Sequence, residues 1–512
     1  MVRRARRDAA SGGKPGSITF RRGEGGGGRR GYGWPRSGRQ IGRQGSPSHR
    51  ATSSGIGPGG KNAGFERDGF RFDLGPSTLT LPAVYRDLFL KTGRSLEDSV
   101  DLREVDPAFG YHFADGSSVT LPGAGVGACA SALQDGIGGD ASHEWRALLR
   151  RAGDIWSLTR SDVLGRPLDG YRDLLPLAKS TRSLRTVAPW QTLRGLGRAT
   201  LQDPRARMIL DRYATYTGSD PRKAPAALVT IPFVEQTFGV WHIGGGLHGL
   251  SSALHRRCED LGVVFEFNTT VERIETDHSG VTGVVTSTGA HPADIVVADA
   301  DARTVYGRLV DDPRTKTARQ RLSRMQPSFS GFVLLLAVDG HTDGIQHHNV
   351  WFPQNYDAEF DGLFASDPVP LPDPAIYACV PDDPSMRPEG TESWFVLINA
   401  PAHDPTRLDW DTHREDYADH ILEVLAARGV DLRSRLRWRE IRTPADLERT
   451  TASPGGSIYG MSSNGRLSTI LRPSNRTAVP GLYLVGGSAH PGGGLPLVGM
   501  GAEIVAEEIG RA

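Results

Sequence analysis

The sequence predicts an α/β protein in which a doubly wound sheet is joined to a second domain of sheet and helices. Two observations predict this fold class. Segments rich in β-branched residues alternate with segments whose apolar residues recur at helical spacing, an order typical of sheets covered by helices. The chain has 512 residues, which is too long for one simple core, so two domains are expected.

The individual elements follow from local patterns. Helical periodicity marks residues 81–92, 250–261 and 416–428, and the second of these segments ends at Gly262, a common helix stop. Short runs of β-branched and apolar residues, separated by turn residues, predict five strands: 263–267, 271–274, 281–286, 295–298 and 332–338.

Composition excludes several classes of protein. The net charge is +1, with 38% hydrophobic and 23% charged residues, so no nucleic-acid partner is expected. The three cysteines are far apart, which argues against a disulfide framework or a zinc site. No run approaches the ~20 apolar residues of a membrane span, and the N-terminus has no apolar signal region. We therefore expect a cytoplasmic protein that is soluble or bound to a membrane surface.

Residues 1–58 differ from the remainder of the chain. They contain 12 Arg, 1 Lys and 15 Gly, only two acidic residues and no leucine. Such a segment buries too little apolar surface to offset its ordering entropy, so we expect disorder. Two GxGxxG matches, at 23–28 and 55–60, lack the preceding strand and following helix of a dinucleotide-binding fingerprint, and we interpret them as chance matches.

The C-terminal segment carries the strongest motif. Residues 481–485 read as a short buried strand, a turn with several glycines follows, and a helix of small residues continues through Ala506. Glycines at such a junction let backbone N–H groups approach a phosphate, and the helix dipole favours an anion there. The sequence therefore predicts a phosphate-binding turn at this end of the chain.

This stretch, from Tyr483 to Pro496, resembles the C-terminal flavin motif of the bacterial carotenoid (phytoene) desaturase family. Other segments resemble motifs of that family and occur in the family's order: 59–77, 239–247, 298–301, 347–350 and 356–360. The resemblance covers roughly residues 59–512.

The resemblance implies a discontinuous, Rossmann-like, amine-oxidase-like domain that binds FAD, and an α+β substrate-binding domain. The FAD-binding domain would comprise residues 59–80, 238–308 and 455–512, and the substrate-binding domain residues 81–237 and 309–454. It also implies FAD-dependent removal of hydrogen from a C–C bond of a carotenoid polyene, which the enzyme would draw from a membrane surface while bound there peripherally.

The same resemblance implies a set of FAD-binding residues and leaves the catalytic residues unassigned. Gly59, Gly60 and Lys61 would lie near the pyrophosphate, Gly75 and Pro76 beside the flavin ring, and the backbone of Val271 at the adenine. The C-terminal turn would contribute the remaining residues: Gly486, Gly487, His490, Pro491, Gly494, Pro496 and Val498. For His490 a hydrogen bond that orders the loop is the favoured role.

A metal site is not expected. His347 and His348 are adjacent, and adjacent residues of a strand point to opposite faces.

One part of the family pattern is missing. The family begins with an apolar strand, GxGxxG, a helix and a second strand ending in an acidic residue, all before the position of Gly59 and Gly60. None of these is present, so the N-terminal dinucleotide-binding unit is absent or frameshifted. Three alternatives stay open: a terminal carotenoid desaturase or carotenoid oxygenase, a flavin amine oxidase, and an inactive remnant without a complete FAD site.

Overall fold

A computed structural model describes residues 18–21, 49–52, 57–174, 180–465, 468 and 472–510. The strands are β1 Ile18–Arg21, β2 His49–Thr52, β3 Gly64–Arg67, β4 Phe70–Asp73, β5 Leu102–Glu104, β6 Phe109–His112, β7 Ser118–Leu121, β8 Trp241–Ile243, β9 Val264–Glu266, β10 Val271–Thr276, β11 Val281–Thr286, β12 Gly289–Pro292, β13 Ile295–Ala298, β14 Ser330–Asp339, β15 His348–Trp351, β16 Ile376–Cys379, β17 Thr391–Ala400, β18 Leu436–Arg442 and β19 Leu482–Leu484.

The helices are α1 Ala83–Lys91, α2 Val126–Ile137, α3 Ala141–Thr159, α4 Thr181–Val187, α5 Leu193–Thr200, α6 Pro204–Arg212, α7 Thr230–Phe238, α8 His248–Asp260, α9 Ala302–Thr304, α10 Lys316–Leu322, α11 Tyr356–Leu363, α12 Arg414–Ala427, α13 Pro444–Thr451 and α14 Leu495–Gly510. The three helices and five strands expected from periodicity are all confirmed, with ends that differ by a few residues. The α/β fold class is confirmed as well.

A five-stranded sheet has the order β19-β13-β1-β2-β9. Strand β13 runs parallel to β19, and β2 runs parallel to β9. Strand β1 lies between β13 and β2 and is antiparallel to both. Four strands therefore point the same way and end at one edge of the sheet, and one reversed strand lies in the middle.

The strands β1 and β2 correct the expectation of disorder for residues 1–58. Ile18–Arg21 and His49–Thr52 are paired strands, and the side chain of Arg50 forms an ion pair with Glu266 of β9. The physical reason is that β13 and β9 each offer an edge of backbone hydrogen-bonding groups, which a segment can satisfy without an apolar face of its own. The remainder of the N-terminal segment, apart from residues 57 and 58, lies outside the described residues.

A seven-stranded sheet, in the order β18-β14-β17-β16-β15-β6-β7, forms the centre of the second half of the molecule. The ten-residue strands β14 and β17 pair antiparallel along their whole length. Both faces of β14 are buried. Phe332 and Leu334 alternate with Val333 and Leu335, and the two pairs belong to different apolar clusters. The cluster that contains Phe332 and Leu334 includes residues of α12. The cluster that contains Val333 and Leu335 includes residues of α3, α6 and α11, so helices cover both faces of the sheet.

The helix α1 packs against elements of the predicted FAD-binding domain. It was assigned to the substrate-binding domain by the predicted boundary at residue 81, yet Tyr85 and Phe89 pack with residues of α8, and the Tyr85 hydroxyl donates to the Leu495 carbonyl over 2.7 Å. The domain boundaries themselves stay a prediction. Within the described residues, every helix is too short or too polar to cross a bilayer.

Candidate functional site

The glycine-rich turn lies where the parallel strands of the five-stranded sheet end. Since β13 and β19 are parallel neighbours, Asp299 and Gly486 leave the sheet at the same edge, and a Cβ on Gly486 would lie 3.1 Å from the Asp299 carbonyl oxygen. Gly486 and Gly494 both have positive φ, at +85° and +100°, and the space beside Gly494 is open. Helix α14 begins directly after this turn. This is the strand–turn–helix geometry that the sequence predicted.

A second segment reaches the same edge through Lys61. Its Nζ donates to the carbonyl oxygens of Ser457 and Ile458, each over 2.9 Å. Gly75 packs so closely on Lys61 that a Cβ there would lie 1.8 Å from the Lys61 carbonyl oxygen. Gly460 in turn lies against Ser488, where a Cβ would approach to 2.6 Å. Two of the predicted segments, 59–76 and 486–498, are therefore brought together.

Lys61 lies between the first segment and residues 457 and 458, which it contacts through its Nζ. Its side chain is solvent-exposed, and yet desolvation by surrounding protein is the largest cause that lowers its pKa to about 8. Gly60, next to it, has open space where a side chain would be, as Gly494 has.

A second cation borders the glycine turn. The Nη1 of Arg472 donates to the carbonyl oxygens of Tyr459 and Gly487, each over 2.9 Å. Arg472 is buried, and desolvation lowers its pKa to about 10, so it is protonated at neutral pH. Lys61 and Arg472 thus provide positive charge on either side of a turn that contains several glycines, a combination suited to a phosphate or another anion.

His490 holds the turn in place. Its Nε2 lies 3.1 Å from the Arg166 carbonyl oxygen, so this nitrogen carries the proton and donates. Burial is the largest cause that lowers the pKa of His490, to about 4, so the ring is neutral at physiological pH. These contacts agree with the loop-ordering role favoured from the sequence.

The other predicted residues occupy defined positions. Pro491 is buried, and Pro496 and Val498 lie in the first turn of α14, where the Val498 amide donates to the Gly494 carbonyl over 3.0 Å. Val271 is the first residue of β10, and its side chain is buried in the core beneath the five-stranded sheet. A role for any of these residues in FAD binding stays a prediction.

The structure fits a flavin cofactor at one end of the site and does not fit its adenosine end. In the implied fold the first strand leads into a glycine turn and a helix. Strand β1 lies at the centre of this sheet, but it runs in the opposite direction to both of its neighbours. Strand β2 runs in the direction of the implied second strand and ends at Thr52, where the resemblance calls for an acidic residue. Within the described residues no helix connects the two strands. Within their described residues, strands β1 and β2 therefore supply no acidic side chain for a ribose.

A hydrogen-bonded chain of side chains next to this site was not predicted from the sequence. Ser77 Oγ lies 2.6 Å from the Tyr377 hydroxyl, which lies 2.9 Å from Nδ1 of His348. This chain joins the segment after Gly75 and Pro76 to strands β15 and β16 of the large sheet. Ser77 and Tyr377 are 300 positions apart, so no local sequence signal could have found the contact.

The expectation that His347 and His348 point to opposite faces of a strand is wrong. His347 precedes β15, so strand alternation does not separate the two rings, whose centroids lie 4.6 Å apart. With Cys379 they form a group whose possible ligand atoms lie within 4.8 Å of one another. Four-coordinate zinc with bonds of about 2.0–2.3 Å requires closer ligands, and His348 Nδ1 already bonds Tyr377. The absence of a metal stays a prediction.

Comparisons with known proteins agree with this geometry. Residues 57–509 match the family described as flavin containing amine oxidoreductase, so residues 1–56 lie outside the match. The chain is 31% identical over 464 residues to 4,4'-diapolycopene oxygenase of Methylomonas sp, covering 88% of this chain and 91% of that protein. It is 32% identical over 460 residues to the zeta-carotene-forming phytoene desaturase of Myxococcus xanthus, covering 88% and 87%.

A solved structure shows the same fold. Cyclohexylamine oxidase from Brevibacterium oxydans superposes with a TM-score of 0.55 at 13% identity, covering 90% of this chain and 93% of that one. The fold, the glycine turn and the relatives together identify the chain as a flavin-dependent oxidoreductase of the flavin containing amine oxidoreductase family, in its group of carotenoid desaturases and oxygenases.

Proposed function

We propose that this protein binds FAD and removes hydrogen from a C–C bond of a carotenoid polyene. The observation that carries the proposal is the contact between Ser77 and Tyr377. It brings the segment of Gly75 and Pro76, which the resemblance assigns to the flavin ring, against the aromatic face of the seven-stranded sheet. When bound, the flavin supplies a hydride acceptor, and the protein supplies binding and orientation.

The face beside Tyr377 suits an apolar, conjugated substrate. Aromatic rings stack along neighbouring strands, with Phe109 and Tyr111 centred 5.8 Å apart and Tyr111 and Phe352 6.1 Å apart. These side chains are buried in one apolar cluster, which would shield a polyene held next to it from water. The stacked rings favour a conjugated hydrocarbon chain over a small amine.

FAD, rather than a shorter flavin, is proposed because the glycine turn and the two cations suit a pyrophosphate. Lys61 and Arg472 would hold its charge, and the first turn of α14 would orient it. Because the described residues of strands β1 and β2 include no acidic side chain for the ribose, we expect the affinity for FAD to be weaker than in relatives with a complete site.

We further propose that the protein contacts a membrane surface at α4. No residue of α4 is buried, its exposed face combines Leu184 with Arg182 and Arg185, and Trp190 follows with 52% of its surface exposed. Exposed apolar side chains beside basic ones are typical of segments that lie on anionic bilayers. Such contact would deliver a membrane-dissolved polyene.

The test has two parts, both with the full chain. The purified protein is examined for flavin absorbance, and the protein is separately expressed in a host that accumulates an acyclic carotene. We expect flavin absorbance in the purified protein and a longer conjugated chromophore in the host pigment. Loss of flavin and no pigment change would favour the inactive remnant. Bound flavin that oxidises amines and leaves the carotene unchanged would favour a flavin amine oxidase. A Gly487→Leu variant, which places a large side chain in the glycine turn, is the matched control for flavin-dependent colour.

A further inference from the structure

Arg212, the last residue of α6, is a buried cation without a partner of opposite charge. Only 7% of its surface is exposed, its Nε has no hydrogen-bond acceptor, and it forms no ion pair with a carboxylate of the described residues. Buried arginines are normally paired, because an uncompensated charge in the interior is costly. An unpaired one next to a candidate active site indicates a ligand that completes it.

Aromatic rings hold the guanidinium group in place. Its carbon lies 5.2 Å from the ring centre of Tyr377 and 5.8 Å from that of Tyr216. The ring faces stabilise the positive charge, but they do not accept the hydrogen bonds that the N–H groups direct in the plane of the guanidinium. The buried Tyr356 hydroxyl lies close to Arg212, and this cation offsets part of the rise that burial causes in the pKa of the tyrosine.

The position of Arg212 is next to both proposed flavin segments. Tyr377, beneath the guanidinium, bonds Ser77 of the first segment. Tyr459, close enough to Arg212 to interact electrostatically, packs on the glycine turn, where a Cβ on Gly493 would lie 2.7 Å from its ring.

The acidic residues nearby are engaged elsewhere. Asp211 pairs with Arg194 over 2.6 Å. Glu235 accepts from the Tyr213 hydroxyl over 2.5 Å, and burial raises its pKa to about 7, so much of it is uncharged at neutral pH. Glu359 accepts hydrogen bonds from the Asn399 side chain and from the backbone amide of Ala375, the residue before β16. None of them neutralises the guanidinium at contact distance.

We propose that Arg212 binds an oxygen atom, of a carbonyl or hydroxyl group, at the end of the polyene that lies next to the flavin. This inference rests on the proposed function and narrows its substrate class to oxygenated polyenes. A plain hydrocarbon end would leave the guanidinium unsatisfied, whereas an oxygen would accept its hydrogen bonds. Hydrogen bonds to a charged group correspond to a preference of about 10- to 100-fold in affinity.

The experiment measures binding rather than turnover. The full chain in detergent is titrated with a linear polyene hydrocarbon and with the terminal aldehyde of the same conjugated length, and Kd is read from quenching of tryptophan fluorescence. We expect the aldehyde to bind about 10- to 100-fold more tightly. Arg212→Met should abolish this preference and Arg212→Lys should keep part of it. Arg151→Met, which removes a half-buried arginine bonded to Thr186 and Gln191, should leave it unchanged.

Each outcome is decisive. Equal Kd values for the two polyenes in the unaltered protein would overturn the inference, and so would a full preference in a folded Arg212→Met. If Arg212→Met does not fold, the comparison of Arg212→Lys with the unaltered protein decides. An altered flavin spectrum with an unchanged preference would assign Arg212 to the flavin instead. Equally tight binding of both polyenes would overturn the inference and leave the proposed function intact, whereas absence of binding to either polyene would overturn both.

Discussion

Replacing Gly75 with alanine tests whether the two cofactor segments are joined as the structure shows. The new methyl carbon would lie 1.8 Å from the Lys61 carbonyl oxygen, whereas Cβ contacts below 3.0 Å are essentially never observed. The Lys61 backbone must therefore move by about 1.2 Å, the difference between these two distances. Overpacking of this kind costs about 1–3 kcal/mol of stability. A displacement of ~1 Å at a functional site can lower a rate by about 10²-fold.

The assays are urea unfolding, followed by circular dichroism, and flavin stoichiometry by absorbance. We expect a decrease of about 1–3 kcal/mol in the free energy of unfolding and a loss of flavin that is larger than the loss of folded protein. Gly307→Ala is the matched control, since no atom lies within 4 Å of its added methyl and its φ is not positive. Unchanged stability and flavin content in Gly75→Ala would refute the packing of Gly75 on Lys61.

Three further predictions concern separate parts of the molecule. Gly487→Leu should lower flavin stoichiometry and preserve the circular dichroism spectrum, because a Cβ there already approaches Gly493 Cα to 3.4 Å; full flavin occupancy would contradict it. Burial raises the pKa of Glu235 from 4.5 to about 7, so between these pH values the folded protein keeps a proton that the unfolded chain releases. The free energy of unfolding should therefore decrease by on the order of 3 kcal/mol as the pH rises through this range. Glu235→Gln should remove that fall in pH-dependent urea unfolding, and an unaltered slope would count against it. Leu184→Asp combined with Trp190→Asp should reduce cosedimentation with anionic vesicles at least several-fold, with no change in folding; equal binding would exclude α4 as the contact.

Local patterns were sufficient for the regular elements. The β-branched runs at 281–286 and 295–298 are strands with the bounds that the sequence predicts, because pairs of buried and half-buried β-branched residues favour a pleated surface. The glycine turn before α14 was also found in advance, since glycines between a short strand and a helix of small residues have few other uses. Disorder of residues 18–21 and 49–52 was predicted from composition, which carries no information on backbone edges that other strands offer.

The sequence by itself determined the fold class, the glycine turn and the family, because these depend on periodicity, on residues close together in the chain and on ordered motifs. Tertiary structure alone decided the reversed direction of β1, the contact of Ser77 with Tyr377, and the unpaired burial of Arg212. Each of these depends on which distant segments meet. A strand can pair with its neighbours in either direction through its backbone groups, and an arginine at a helix end has the same local sequence whether or not a carboxylate faces it.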